Sequence, residues 1–227
     1  MIDLHVHSKY SFDSLLSPRT ILKVAKKKGL TGIAVTDHNT IKGGLEVRKI
    51  NTDRDFTVIV GSEIQTEVGD IIGLCICEEI QSRIAVDVMK EIKDQGGFVV
   101  LPHPFRGHRL NRYVIEQMDA VEVFNSRSTP EENTLALNLA KKYNKPFTAG
   151  SDAHFASEIG NGGLIMDIDL RAGLLSSLTT SQTNIRRKES QYYLQDISQI
   201  IKSFKTRNLQ HIPRQMLRVS YHIICKA

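Results

Sequence analysis

Cysteine is scarce in this chain of 227 residues, which contains only three. Cys75 and Cys77 lie two residues apart in a short apolar stretch that is typical of a strand, and Cys225 stands alone near the C-terminus. An odd number at this spacing argues against a disulfide framework, because near neighbours in one strand rarely have disulfide geometry. Reduced cysteines are typical of the cytoplasm, which is where we expect this protein.

Long apolar runs and a secretory pattern are also missing. No stretch approaches the roughly 18 apolar residues of a membrane span. The N-terminal residues MIDLHVHSKYS lack a basic region followed by an apolar one. We therefore expect no secretory signal and no membrane partner. The hydrophobic fraction of 41% and the length suit one soluble α/β domain, with or without a small extension.

Positive charge is scarce in the first part of the chain and concentrated at its end. Residues 1–180 carry 21 Lys and Arg against 23 Asp and Glu, a net charge of −2, whereas residues 181–227 carry 9 against 2, a net charge of +7. We predict one domain over 1–180 and a basic, partly helical extension over 181–227. The polar stretch 177–184 is typical of a linker, and apolar spacing over 190–205 predicts an amphipathic helix. The extension is either a solvated helix or an arm for nucleic acid or another polyanion.

Short β-branched runs alternate with helical patterns along the predicted domain. Strands are predicted at residues 2–7, 32–36, 57–61, 70–77, 98–101, 120–124 and 146–150, and helices at 18–28, 41–49, 82–95 and 130–143. Pro18 and Pro130 each follow a Ser or Thr, a pattern that suits a capped first helical turn. The fourth strand follows the third so closely that we expect a hairpin. The remaining alternation predicts a mainly parallel sheet or barrel.

Histidines and carboxylates collect at the ends of these predicted strands. The members are His5, His7, Asp13, His38, Glu63, His103, Asp152 and His154. The carboxyl ends of strands form the rim on which barrel and open α/β folds build their active sites. Histidine and carboxylate ligands suit zinc, manganese and iron. The sequence therefore predicts a site for more than one divalent metal.

The same segments resemble the ordered motifs of a known family. LHVHSKYSFDSLLSP, TDHNT, GSE, PHPFR, VEVFN and GSDAH occur in family order over residues 1–166. They look like the PHP (polymerase and histidinol phosphatase) family, and most of all like its short stand-alone phosphoesterases. The resemblance implies a distorted (β/α)₇ barrel with two or three divalent ions, Mn, Zn, Fe or Mg, at the C-terminal rim of its strands.

Position within these motifs implies a ligand set for each metal. The first is assigned to His5, His7, Glu63 and Asp152, the second to Glu63 and His103, and the third to Asp13, His38 and His154. Many family members supply a further ligand for the second metal just after the VEVFN-like strand. Here the segment is Asn125-Ser126-Arg127-Ser128. Glu122 is the nearest strong ligand, and alternation along the strand leaves its direction open.

Paired metals suit the hydrolysis of phosphoesters. Two cations about 4 Å apart acidify one water and clamp the phosphoryl oxygens. We predict hydrolysis of small phosphorylated substrates such as nucleotides by a metal-activated hydroxide, with Glu63, His103, Asp152 and His154 as catalytic residues.

Three residues are predicted to contact the substrate. Arg106 is the best candidate for a phosphate clamp, because a guanidinium offers planar paired donors. Asn125 either contacts substrate or orients a metal ligand. Arg127 either contacts substrate or is an ordinary solvated arginine.

Other functions remain open at this stage. A nuclease or exonuclease would hold oligonucleotides or DNA ends through the basic extension. A histidinol-phosphate phosphatase and a non-catalytic metal-binding module are further alternatives. The sequence leaves the oligomeric state undetermined.

Overall fold

The computed structural model describes residues 1–165 and 184–225. Its strands are β1 (Ile2–Val6), β2 (Gly32–His38), β3 (Thr57–Thr66), β4 (Gly69–Leu74), β5 (Phe98–Leu101), β6 (Ala120–Asn125), β7 (Phe147–Gly150), β8 (Gly162–Ile165) and β9 (Asn184–Arg187). Its helices are α1 (Pro18–Lys27), α2 (Lys42–Ile50), α3 (Ala85–Asp94), α4 (Arg112–Gln117), α5 (Pro130–Lys142), α6 (Tyr192–Lys205) and α7 (Ile212–Cys225).

These strands form one sheet that curls into a nearly closed barrel. Their order is β7-β6-β5-β4-β3-β2-β1-β8-β9. At the closing edge, the segment after β7 meets β1, where Val6 bridges to Ala153 and the amide of His7 donates to the Ala153 carbonyl at 2.9 Å. A Cβ at Gly150 would lie 2.3 Å from the Cβ of His5, so only glycine lets β7 end this close to β1. The predicted α/β barrel with a helical C-terminal region is confirmed.

One reversed strand distorts the barrel. β4 runs antiparallel to both β3 and β5, whereas the other neighbouring pairs among β1 to β7 are parallel. The predicted hairpin is therefore confirmed, with its turn between Thr66 and Gly69. β4 nevertheless stops at Leu74, where Cys75 takes a left-handed φ of 60°. The expectation that Cys75 and Cys77 pack within a strand is wrong, because both follow the strand end and are exposed.

Apolar residues of the strands fill the barrel interior. Buried side chains from seven of its strands and β8 form one cluster there: Ile2, Leu4, Ala34, Ile59, Ile72, Leu74, Phe98, Val100, Ala120, Phe124, Ala149 and Leu164. Two further clusters lie between the sheet and the helices. The predicted caps also form. Ser17 accepts from the Thr20 amide at 3.1 Å, and Thr129 and Glu132 form a capping box at the start of α5.

The C-terminal extension contains the predicted amphipathic helix, α6, and a second helix, α7, that the sequence did not predict. The predicted linker 177–184 and the boundary at 180 lie outside the described residues, apart from Asn184. That residue begins β9, which pairs antiparallel with β8 and so belongs to the barrel sheet. Within residues 1–165 and 184–225, no helix has the length and apolar character needed to cross a membrane.

Candidate metal centre

All eight predicted ligands meet at one end of the barrel. Six of the first seven strands run in the same direction, so their carboxyl ends share one rim. β4 runs the other way, and its first residues therefore reach that rim too. The donor atoms form three groups, each within 4.8 Å: His7, Asp13, His38 and His154; His5, Glu63 and His103; and His5, His7 and Asp152.

The group predicted for the first metal has the size of a tetrahedral site. Nε2 of His5 and Nε2 of His7 are 3.0 Å apart. Glu63 Oε2 lies 3.5 Å from His5 and 3.3 Å from His7, and Asp152 Oδ1 lies 3.6 Å and 3.2 Å from the same two nitrogens. Ligand atoms about 2.0–2.1 Å from a tetrahedral ion are separated by about 3.3–3.4 Å. These four residues therefore fit one divalent ion.

Glu63 joins the first group to the second. Its other oxygen, Oε1, lies 2.8 Å from Nε2 of His103. Glu122 also points toward the site, but both its oxygens are engaged by the protein. Oε1 lies 3.0 Å from Nδ1 of His5, and Oε2 accepts from the His103 amide at 2.9 Å and from Nδ2 of Asn125 at 3.0 Å. Glu122 thus orients His5, and within the described residues the second group has no protein ligand beyond Glu63, His103 and the shared His5.

The third predicted group surrounds Asp13. Its Oδ2 lies 3.2 Å from Nε2 of His38, and its Oδ1 lies 3.1 Å from Nε2 of His154. Asp13 Oδ1 and His38 Nδ1 are buried without a hydrogen-bond partner among the residues that the structure describes. A buried polar atom left unpaired is costly, and a cation beside Asp13 would satisfy its Oδ1. The arrangement fits a further divalent ion.

Acceptors behind three of the histidines determine which ring nitrogen faces the site. Ser11 donates its single hydroxyl proton to Asp37 at 2.8 Å, so it accepts from Nδ1–H of His7 at 2.9 Å. Glu122 is the acceptor for Nδ1–H of His5, and the Asp152 carbonyl is the acceptor for Nδ1–H of His154. When these rings are neutral, each therefore presents the lone pair of Nε2 to a metal.

Two predicted ligands have unusual backbone conformations. His103 has a φ of 26° and Asp152 a φ of 53°. Non-glycine residues rarely adopt positive φ, and such strain concentrates at functional sites. Each residue lies two positions after the end of a barrel strand, β5 for His103 and β7 for Asp152, at the rim.

The carboxyl groups of Glu63 and Asp152 favour the ionised form. Burial alone would raise the pKa of Glu63, but His38, His5 and His103 hold it well below the ordinary value. Burial would also raise the pKa of Asp152, but His5 and Arg106 hold it well below the ordinary value.

The histidines divide into two kinds. Burial opposes protonation of His7, yet Asp152 and Glu63 raise its pKa to about 9. Burial and the charge of Arg106 instead lower the pKa of His103 to about 4. His103 is thus neutral and ready to bind a cation, whereas His7 must release a proton first.

A cavity of about 220 Å³ opens over these groups. Its lining includes side chains that the sequence did not single out: Phe12, Gln65, Asp70, Gln195, Gln199 and Lys202. Burial and the nearby charge of Glu63 raise the pKa of Asp70 to about 7. The predicted hairpin could have pointed to Asp70. The first residues of a reversed strand lie at the same rim as the last residues of its neighbours, and Asp70 is the second residue of β4.

The three predicted substrate-binding residues have different surroundings. Arg106 lines the cavity, with Nη2 2.6 Å from Asp152 Oδ2 and its side chain 34% exposed. Asn125 is fully buried and donates to Glu122 and Asp152, which favours the role of orienting ligands over contact with substrate. Arg127 is not a solvated arginine. It is buried and paired with Glu158 at 2.8 Å, although it borders the cavity.

Asp3 anchors the two segments that carry His5 and Asp152. Its carboxylate accepts from the Ser151 amide at 2.8 Å, the Ser151 hydroxyl at 2.5 Å, the Gly160 amide at 2.8 Å and the His5 amide at 3.3 Å. Burial raises the pKa of Asp3 to about 6, and these donors oppose the rise. The residue therefore fixes β1 against the segment after β7.

We expect Asp3→Asn to lower the free energy of unfolding by about 1–3 kcal/mol at pH 8. The NH₂ group of asparagine would point at N–H and O–H groups that now donate to the Asp3 carboxylate, and those groups would lose their acceptor. Urea denaturation measures this. Asp53→Asn is the control, because Asp53 is exposed and its partners, Lys26 and the Asp55 amide, lie at the surface. Equal denaturation midpoints for the two variants would show that Asp3 is not the anchor.

Family models match most of this chain, including the segments that carry the predicted metal ligands. The family model for the PHP domain matches residues 3–149, and that for the PHP-associated region matches residues 130–183. The chain belongs to the PHP family. An uncharacterized protein of Methanocaldococcus jannaschii is 42% identical over 155 residues, which cover 62% of this chain and 91% of the relative.

Solved structures show the same fold. A two-domain protein from Bacteroides vulgatus, described as containing a predicted PHP-like metal-dependent phosphoesterase, superposes with a TM-score of 0.68 at 19% identity. The match covers 82% of this chain and 64% of that structure. A protein from Bifidobacterium adolescentis with the provisional description of metal-dependent phosphoesterase gives a TM-score of 0.56 at 20% identity, covering 68% and 88%. Family membership and the donor clusters together indicate a divalent-metal site.

Proposed function

We propose that the protein hydrolyses phosphoester bonds in small phosphorylated substrates, nucleotides among them, with two or three divalent ions bound at the rim. The observation that carries this is the set of separations from 3.0 to 3.6 Å around His5, His7, Glu63 and Asp152. Glu63 also reaches His103 with its second oxygen. One buried carboxylate shared by two donor groups is the arrangement expected of a bridged pair of metals.

The protein's own residues have separable roles in this reaction. Divalent ions bound here supply Lewis acidity toward water and toward the phosphoryl oxygens. Glu122, Ser11 and the Asp152 carbonyl orient the ligating histidines. Arg106 lies beside Asp152 with a third of its side chain exposed, so its free donors are available to a phosphoryl oxygen.

The test is a substrate and metal screen of the full chain. Chelated protein is reloaded with Mn²⁺, Zn²⁺, Fe²⁺ or Mg²⁺, its metal content is measured, and nitrophenyl phosphates, nucleotides, histidinol phosphate and an end-labelled oligonucleotide are offered. We expect turnover of small phosphoesters that needs metal and stops with chelator. Failure of every metal-loaded form to release phosphate or cleave a diester would overturn the proposal, and preferential cleavage of the oligonucleotide would replace it with a nuclease.

A further inference from the structure

The basic extension contributes one wall of the metal-site cavity. Gln195, Gln199 and Lys202 on α6 line the same space as the predicted metal ligands. Residues spaced by three or four along a helix share one face, so these three side chains point together toward the site. The extension that follows the catalytic motifs in sequence is thus part of the site in space.

Hydrogen bonds at both ends hold α6 in this position. In its first half, the side-chain amide of Gln195 donates to the Arg127 carbonyl, and Ser198 accepts from Arg127 at 3.0 Å. At its end, the ammonium of Lys205 donates to the carbonyls of Lys9, Ser11 and Ser14 at 2.8, 2.7 and 2.7 Å. These carbonyls belong to the loop that carries Asp13. The helix face is therefore fixed relative to the predicted ligands.

Arg127 extends this connection to the opposite side of the site. Its guanidinium is bound by both oxygens of Glu158 at 2.9 and 2.8 Å. Glu158 in turn accepts from the backbone amide of His154 at 2.9 Å. One buried ion pair thus links α6 with the segment that presents His154.

Among the α6 side chains that line the cavity, Lys202 is the one with a charge, and its ammonium is free to bind an anionic ligand. Its ammonium lies 4.5 Å from the centre of the Phe12 ring, and Phe12 stacks in parallel on His38 with ring centres 4.3 Å apart. Within the described residues it forms no ion pair with a carboxylate, in contrast to Arg106 and Arg127. A half-buried ammonium that lines a cavity and has no carboxylate within ion-pair distance favours an anion beside it once cations balance the acidic ligands.

We propose that Lys202, assisted by Gln199, binds the phosphoryl group of the substrate, and that the preferred substrate class is a phosphomonoester with a small leaving group. A monoester dianion carries three free phosphoryl oxygens, enough to reach both a cation site and an ammonium. The cavity of about 220 Å³ is smaller than the roughly 300–1,000 Å³ of pockets that enclose drug-sized ligands, which favours a small leaving group. This inference rests on the proposed function for the reaction, though phosphate binding itself can be measured without turnover.

The experiment titrates inorganic phosphate into metal-loaded protein by calorimetry. Lys202→Met removes the charge while its side chain still covers Phe12, Lys202→Arg keeps the charge, and Lys141→Met makes the same charge change on the exposed surface of α5. We expect Lys202→Met to weaken the phosphate Kd by about 10- to 100-fold, as for loss of a hydrogen bond to a charged group. The phosphate Kd of Lys202→Arg should stay within a few-fold of the parental value. The phosphate Kd of Lys141→Met should equal the parental value. If Lys202→Met melts earlier than Lys141→Met, Lys202→Gln provides the second neutral replacement.

Kinetics then test the substrate class. For p-nitrophenyl phosphate we expect Lys202→Met to raise KM far more than it lowers kcat, with a smaller change for the diester bis-p-nitrophenyl phosphate. Equal losses for the two esters would overturn the monoester preference, and an unchanged phosphate Kd would overturn the binding role of Lys202. If the parent protein turns over no ester but Lys202→Met binds phosphate more weakly than the parent, the proposed hydrolysis is refuted and the phosphate site is supported.

Discussion

Glu63→Gln is expected to lower kcat/KM for a phosphoester by about 1,000-fold or more, the range for losing a group that organises a metal pair. One oxygen of Glu63 lies 2.8 Å from His103, and the other lies 3.3 Å from His7 and 3.2 Å from Nδ1 of His38. A neutral amide has the same shape, but it offers one acceptor atom and no charge. It therefore cannot bridge two donor groups or balance two cations.

Metal analysis of the same variant separates this cause from misfolding. We expect Glu63→Gln to retain less than the parental amount of Mn²⁺ or Zn²⁺ after dialysis, with its far-UV circular dichroism unchanged. Glu131→Gln, an exposed change of the same kind in the first turn of α5, should keep parental metal content and rate. Parental activity in Glu63→Gln would remove the bridging carboxylate from the mechanism.

The positions of the ligands could be predicted because each depends on local sequence. His5 lies in β1, His38 ends β2, and His103 and Asp152 follow β5 and β7. β-branched residues mark the first three of these strands, whereas β7 (FTAG) has only one. Parallel strands place such residues on one rim whatever the details of the barrel. Glu63 was predicted to follow the third strand, but β3 continues to Thr66, so this ligand projects from inside a strand.

Contacts between segments that are distant in sequence could not be predicted from the sequence pattern. Alternation along β6 left the direction of Glu122 open, and its hydrogen bonds to His5 and to the His103 amide determine it. The periodicity of α6 predicts a helix but not the surface against which it packs. That packing depends on Lys205 and on the Arg127 pair, which join segments about 70 to 190 residues apart in sequence.

Strands β8 and β9 were missed for a different reason. Each has four residues, and GGLI and NIRR show neither the alternation nor the β-branched enrichment by which strands are recognised. β8 pairs with Ile2 at the edge that β1 leaves open, and β9 pairs with β8. Tertiary context outweighs propensity there.

Metal loading is expected to raise the melting temperature, and by more at high pH than at low pH. Metal-free protein carries protons in the site, because Asp152, Glu122 and Glu63 raise the pKa of His5 well above its ordinary value despite burial, and the pKa of His7 lies at about 9. A histidine whose pKa is raised on folding stabilises the fold below its unfolded value near 6.5 and loses that contribution as the pH rises toward 9. Chelated protein should therefore become less stable between pH 6.5 and pH 9.

The loaded protein should change little over the same window, because its metal-bound histidines are neutral and those of the unfolded chain are already neutral above about pH 6.5. A divalent ion binds the neutral histidine, so loading releases protons and its affinity rises with pH. At a free metal concentration of about 1,000 times Kd, each site adds about 4 kcal/mol, or about 8–16 °C for a chain of this size. Calorimetric scans of chelated and Mn²⁺-loaded protein at pH 6.5 and pH 9 measure both trends.

The proton release can be counted independently of stability. Titrating metal at pH 7 in two buffers that differ in ionisation enthalpy gives the number of protons displaced, and we expect at least one, from His5 or His7. His211→Gln is the control, because His211 is exposed in the turn between α6 and α7, away from the cavity. A difference between loaded and chelated melting temperatures that stays constant from pH 6.5 to pH 9, with no buffer dependence, would contradict the link between metal binding and histidine protonation. The separations around His5, His7, Glu63 and Asp152 would then reflect a hydrogen-bonded polar cluster instead of a metal centre.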